Sequence, residues 1–107
     1  MPFTVRPFKR FPVHCFVKYR IGSYTGIGTV WNLSSSGCRL SGDVPMRPGE
    51  ILSLTVTLPN EQRIKIDGAI VRWSRGGEYG IETIEVSKHT QGRLDHYVRR
   101  LVQPPLA

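Results

Sequence analysis

The sequence predicts a mainly β fold: a small six-stranded antiparallel β-barrel with a C-terminal α-helix and an extended N-terminal arm. Three observations lead there. Apolar and polar residues alternate in short runs, which is the period of a half-buried strand. Breaks rich in Gly, Pro, Ser and Asn separate those runs about every ten residues. A helical stripe appears once, near the end of the chain. Closure into a barrel is favoured because it leaves no strand edge exposed.

Pro2, Pro7 and Pro12 oppose helix and leave residues 1–12 as an extended arm ahead of a barrel-plus-helix unit at 13–103. From Val13 to Tyr19, the residues Val13, Cys15, Val17 and Tyr19 share one face of a strand. Ile21 to Tyr24 turns the chain, and Thr25 to Trp31 makes a second strand whose Gly26 and Gly28 mark a bend or a close backbone approach. A serine cluster breaks the pattern, and Cys38 and Leu40 begin a short third strand.

Pro45 and Pro48-Gly49 place 41–50 in a loop, and Ile51 to Leu58 then alternates cleanly. Arg63 to Trp73 reads as one long strand whose apolar parity slips at Gly68, from Ile64 and Ile66 to Ala69, Val71 and Trp73, as a bulge produces. After Arg75-Gly76-Gly77, Tyr79 to Val86 is the last strand. Ser87 caps a helix in which Leu94, Tyr97, Val98 and Leu101 form one stripe, and Pro104-Pro105 stops it.

The chain has 107 residues and a formal charge of +7, which calls for an anionic partner: nucleic acid, a phosphate ligand or a membrane surface. The charge is uneven. Arg6, Lys9, Arg10, Lys18 and Arg20 lie in the first twenty positions with no Asp or Glu among them. Cys15 and Cys38 sit in apolar strands and read as buried free thiols. No apolar run is long enough for a membrane span, and the N-terminus lacks a signal-peptide core. His14, His89 and His96 lack a third metal ligand, and the acids have no partner at a diagnostic spacing, so no catalytic or metal site is expected.

Two motifs carry the chemistry. Arg6-Pro7-Phe8-Lys9-Arg10 sets two arginines four apart, and their planar guanidinium groups match phosphate bidentately and stack on flat rings. In Asn32-Leu33-Ser34-Ser35-Ser36-Gly37, the Asn32 amide offers donors and an acceptor to a base, and Gly37 has no side chain to obstruct approach. Read alone, the serine cluster is a plain turn and the arm a solvated charge run. Arg-x-x-x-Arg followed by Asn-x-Ser-x-x-Gly, however, resembles the PilZ family. Arg10-Phe11-Pro12-Val13, the Arg47-Pro48-Gly49 turn before Ile51, the run Gly68 to Trp73, and Tyr79-Gly80-Ile81 also look like that family's pattern. Two positions depart from it: Thr83 stands where the family usually has an aromatic, and Asn32 replaces the commoner Asp.

The resemblance implies a non-enzymatic receptor for cyclic di-GMP, located in the cytoplasm. It implies that Asn32 and Ser34 hydrogen-bond a guanine edge, that the backbone passes close beneath the ligand at Gly37, and that Arg6 and Arg10 clamp phosphates and bases. Lys9, Ser36 and Trp73 are expected as secondary contacts; Trp31, like Trp73, reads first as core. The expected output is an effector protein, reached through ordering of the arm, with no cofactor and no membrane partner. Two alternatives stand beside it: a PilZ-like interaction module that binds no nucleotide, and a small basic barrel that binds nucleic acid through charge and stacking, ranked below it.

Overall fold

The computed structural model describes residues 11–102. Six strands, β1 (Phe11–Ile21), β2 (Tyr24–Ser34), β3 (Gly37–Gly42), β4 (Ile51–Thr57), β5 (Arg63–Arg75) and β6 (Glu78–Glu85), precede one helix, α1 (Lys88–Val102). The strands close into an antiparallel barrel in the order β1-β2-β3-β6-β5-β4, with β4 pairing back onto β1. Mainly β, six-stranded and closed, with a C-terminal helix, is the fold class that the sequence predicts.

The alternation decides which side chains fill the barrel. Cys15, Val17 and Tyr19 of β1 point inward, as do Leu52, Leu54 and Val56 of β4. Val30 and Leu33 of β2, Leu40 of β3 and Ile81 of β6 meet them. A barrel of so few strands has an interior that side chains alone can fill. Tyr19 is the largest of these, and its hydroxyl donates to the Val44 carbonyl at 2.7 Å and accepts from the Val44 N–H at 2.9 Å. That bond ties the loop after β3 over one end of the barrel.

α1 covers another part of the core. Ser87 caps it, its Oγ accepting from the Thr90 N–H at 3.1 Å. Of the predicted stripe, Leu94 is buried, and Tyr97 and Val98 pack against the core from a half-buried position. Truncating Leu94 to Ala should cost about 2–5 kcal/mol. Leu101, fourth in the stripe, lies where only the helical backbone is described.

Three details differ from the sequence reading. β1 begins at Phe11 rather than Val13, and β2 continues through Asn32 to Ser34, leaving only Ser35 and Ser36 as turn. The register does shift at Gly68, between Gly68 and Ala69 against β6, but it shifts a second time between Val71 and Trp73. That second shift overturns the placement of Trp73 with Ala69 and Val71. Two residues of β5 stand against one of β6, the side-chain parity inverts, and Trp73 emerges on the outside at 39% exposure.

Candidate functional site

The serine turn is a hairpin end in which the Ser34 and Ser36 hydroxyls are already engaged. Ser34 is 1% exposed; its Oγ donates to the Gly37 carbonyl at 3.2 Å and accepts from the Ser36 N–H at 3.3 Å. Ser36 Oγ stands 3.3 Å from it. Such bonds hold a turn against strand continuation. Thr83 of β6 donates its N–H to the Ser36 carbonyl at 2.8 Å, so β6 braces the turn.

Gly37 is buried, and its close approach is to protein. A Cβ placed there would collide with the Ile81 backbone carbonyl of β6, which cannot swing away as a side chain can. The glycine is therefore demanded by the β3–β6 pairing itself.

Asn32 owes its position to a bulge. Val30 pairs with Leu40 and Asn32 with Arg39, so Trp31 is an extra residue on β2. The bulge lets Val30 and Leu33 both face inward while Trp31 and Asn32 stay outside the core. Trp31, expected as core, is an outer-surface residue instead, 37% exposed. Its indole Nε1–H donates to Ser41 Oγ at 2.9 Å, and its ring leans on His14 with centroids 5.0 Å apart.

Cross-strand pairing extends this outer surface. Asn32 of β2 pairs with Arg39 of β3, Arg39 with Gly80 of β6, and Gly80 with Trp73 of β5. Neighbouring strands lie about 4.8 Å apart, so this row spans roughly 14 Å. The next row runs from Ser41 through Glu78 to Arg75. Arg39, Trp73, Ser74, Arg75 and Glu78 enclose a hollow of about 420 Å³. Further along β5 and β6, the Arg72 guanidinium donates to Glu82 Oε1 at 2.7 Å and holds the Glu82 carboxyl below its ordinary range.

Sequence reasoning thus named Asn32 and Trp73, which the fold brings to one face with Arg39 and Glu78, which it missed. It also named Ser34 and Ser36, which the fold brings together in the turn at the edge of that face. Arg6, Lys9 and Arg10 lie outside the described residues. β1 nonetheless begins beside the site, because Phe11 pairs with Leu33 and Pro12 with Asn32. A physical tie also links the turn to α1: the Gln91 amide donates to the Ser35 carbonyl at 3.1 Å and to Asp95 Oδ1 at 2.8 Å.

The opposite face differs in character. Lys18 and Lys65 flank Thr55 across β1, β4 and β5, with Arg20 and Arg63 on the same strands and no ion pair to any of the four among the described residues. Among the described residues no group of three or more His, Cys, Asp or Glu side chains could hold a metal ion, and no helix is long and apolar enough to cross a membrane.

Comparison with solved structures finds this barrel elsewhere. The Bacillus subtilis inhibitor of motility, MotI/DgrA, superposes with a TM-score of 0.75 at 22% identity over 92% of this chain. This chain spans about half of that one, 51%. The PilZ domain of CeSA from a cellulose-synthesizing bacterium superposes with a TM-score of 0.69 at 15% identity, covering 89% of this chain and 99% of its own. Among curated proteins the sequence has no match. The PilZ domain family model matches residues 4–100, a span that takes in all six strands and nearly all of α1. The chain belongs to the PilZ domain family.

Proposed function

We propose that this protein is a cytoplasmic, non-enzymatic receptor for cyclic di-GMP that passes the signal to a partner protein through its N-terminal arm. The observation that carries the reading is the Pro12–Asn32 pairing. It brings the chain out of the arm and into β1 beside the Asn32 edge, so Arg6 and Arg10 precede the site by a few residues. Their guanidinium groups are matched to a ligand with two phosphates and two flat bases. Asn32 offers its amide to a guanine edge, and Trp73 offers a half-exposed ring for stacking. Ser34 serves by shaping the turn, since its hydroxyl is buried and bonded there. Lys9 and Ser36 are secondary contacts.

Several charge-assisted bonds from the arm offset the entropy of ordering only a short span, at about 1–2 kcal/mol per residue. The ordered arm then presents a new surface to an effector protein. Likeness to MotI/DgrA, named an inhibitor of motility, supports a protein as the output. The basic face around Lys18 and Lys65, with Phe16 52% exposed on it, supports the rival reading of single-stranded nucleic acid binding. Calorimetric titration separates them. Cyclic di-GMP should bind with a micromolar or tighter dissociation constant, about −8 kcal/mol, while GTP and a short single-stranded DNA bind less well. Equal or better affinity for either competitor counts against the receptor.

A further inference from the structure

We propose that the face of β1, β4 and β5 binds single-stranded nucleic acid, with a backbone phosphate seated among Lys18, Arg20 and Lys65 and a base stacked on Phe16. The site is separate from the one read for cyclic di-GMP. Around the closed barrel, β1 stands opposite β6 and β4 stands opposite β3. One molecule therefore has room for both ligands, and nucleic acid binding is a second function of the chain rather than an alternative to the first.

β4 supplies the floor. Its outward residues Ser53, Thr55 and Thr57 are short and half-buried, and cations stand on both sides of them. Lys18 and Arg20 of β1 pair with Thr55 and Ser53, while Lys65 and Arg63 of β5 pair with Thr55 and Thr57. At about 4.8 Å per strand, the backbones of Lys18 and Lys65 are roughly 10 Å apart. Between them lies a hollow of about 310 Å³, bordered by Lys18, Arg20, Lys65, Thr25, Ser53 and Thr55. Among the described residues no ion pair or side-chain hydrogen bond engages any of these six. β1, β2 and β4 carry no Asp or Glu, and β5 carries one, Asp67, beyond Lys65. Aromatic rings mark the two ends of the cation row. Phe16, 52% exposed, precedes Lys18 by two residues, and Tyr24, 69% exposed, pairs with Ile21 just past Arg20.

A phosphodiester beside a flat base fits that set. The phosphate brings acceptors and a negative charge; each of the six side chains around the hollow can donate, and no carboxylate lines it. Basic grooves of this kind track a nucleic acid backbone while exposed aromatic rings take the bases, and every base has a face to stack. Asn and Gln, which read adenine edges, are absent from β1, β4 and β5, so the binding is sequence-tolerant. A duplex keeps its base faces inside the stack, so Phe16 favours single strands. An acidic peptide or an anionic lipid headgroup would use the cations and leave the ring without a flat partner.

The test is fluorescence anisotropy of a labelled short oligothymidylate titrated with the full chain, with and without saturating cyclic di-GMP, beside thermal melts. The oligonucleotide should bind more weakly than cyclic di-GMP, with a dissociation constant of about 10⁻⁶–10⁻⁴ M that rises steeply with salt. Lys18→Ala, Lys65→Ala and Phe16→Ala should each lose about tenfold. Their melts should stay close to wild type, because all three side chains are exposed. If Phe16→Ala fails to fold, Phe16→Leu keeps the apolar bulk without the ring and should show the same loss. Arg6→Ala and Arg10→Ala should keep the oligonucleotide affinity, and cyclic di-GMP should leave it unchanged. Full affinity in the Lys18, Lys65 or Phe16 variants overturns the site, as does displacement of the oligonucleotide by cyclic di-GMP or loss in the arm variants alone. Equal binding of a DNA duplex, of oligoglutamate or of phosphatidylserine vesicles overturns the single strand as its ligand. A chain that binds the oligonucleotide and not cyclic di-GMP supports this site and overturns the receptor reading alone.

Discussion

The indole of Trp73 lies over Gly80, on the neighbouring strand, in the space that any other residue's Cβ would fill. The relationship places a half-exposed aromatic ring next to Arg39 on the same outer row as Asn32.

Gly80→Ala should push that ring off the wall. The clash is with a side chain at the surface, so the cost belongs at the low end of the ~1–3 kcal/mol range for overpacking. The barrel stays folded, the tryptophan emission shifts, and affinity for cyclic di-GMP falls about tenfold, equivalent to ~1.4 kcal/mol. Fluorescence and calorimetry on one sample check both; an unmoved ring with full affinity contradicts the placement.

The hairpin residues should separate by role. Gly37→Ala drives a Cβ into the Ile81 carbonyl and should lower stability by ~1–3 kcal/mol or more. At about 4–8 °C per kcal/mol for a domain of this size, a thermal melt resolves it easily. Asn32→Ala should melt within a few degrees of wild type and lose affinity, at ~0.5–1.5 kcal/mol per neutral hydrogen bond. Ser34→Ala should behave as a stability variant, losing a similar ~0.5–1.5 kcal/mol from its buried turn bonds. Reversed outcomes at Asn32 and Ser34 would exchange their roles.

Stability should decline in alkali. Burial pushes the Cys15 thiol above its ordinary 9.0 and the Tyr19 and Tyr97 hydroxyls above their ordinary 10.0. A group raised by folding contributes stability below its unfolded value and loses that contribution as pH climbs through the folded one. Urea midpoints should therefore hold up to about pH 9 and fall beyond it. Glu82, lowered by its bond from Arg72, has the opposite sign and would act in acid, but both partners are exposed and contribute little. A midpoint flat through about pH 10.5 contradicts the burial of these groups.

The arm should contribute to binding and not to folding. Arg6→Ala or Arg10→Ala removes a charged donor to phosphate, at about 1.5–3 kcal/mol, so affinity drops tenfold or more while the melt is unchanged. Normal binding by both variants would move the site elsewhere. Loss of the melting transition would make the arm part of the barrel.

Most of the barrel was legible because inside and outside write period two into each strand, and the slip at Gly68 broke that period visibly. The second slip was not legible. Val71-Arg72-Trp73-Ser74 alternates without a break, and only the pairing of β5 with β6 reveals that Trp73 faces out. Trp31 was misplaced for the same reason, since its bulge exists only against β3. Arg39 and Glu78 were invisible because β3 and β6 are neighbours in space and distant in sequence. Ser34 shows a subtler limit: a hydroxyl in a motif reads as a ligand donor, whereas the fold has engaged it in the turn.

On the receptor reading, cyclic di-GMP sits on the outer face of β2, β3, β6 and β5. A titration followed by amide and indole proton–nitrogen spectra tests it most directly, because Trp31 and Trp73 each report through their own Nε1–H. Shifts are expected at both indoles, along Asn32 to Arg39 and along Glu78 to Glu82, with Lys18, Thr55 and Lys65 unmoved. Shifts confined to the Lys18–Lys65 face, or none anywhere at saturating ligand, would contradict it.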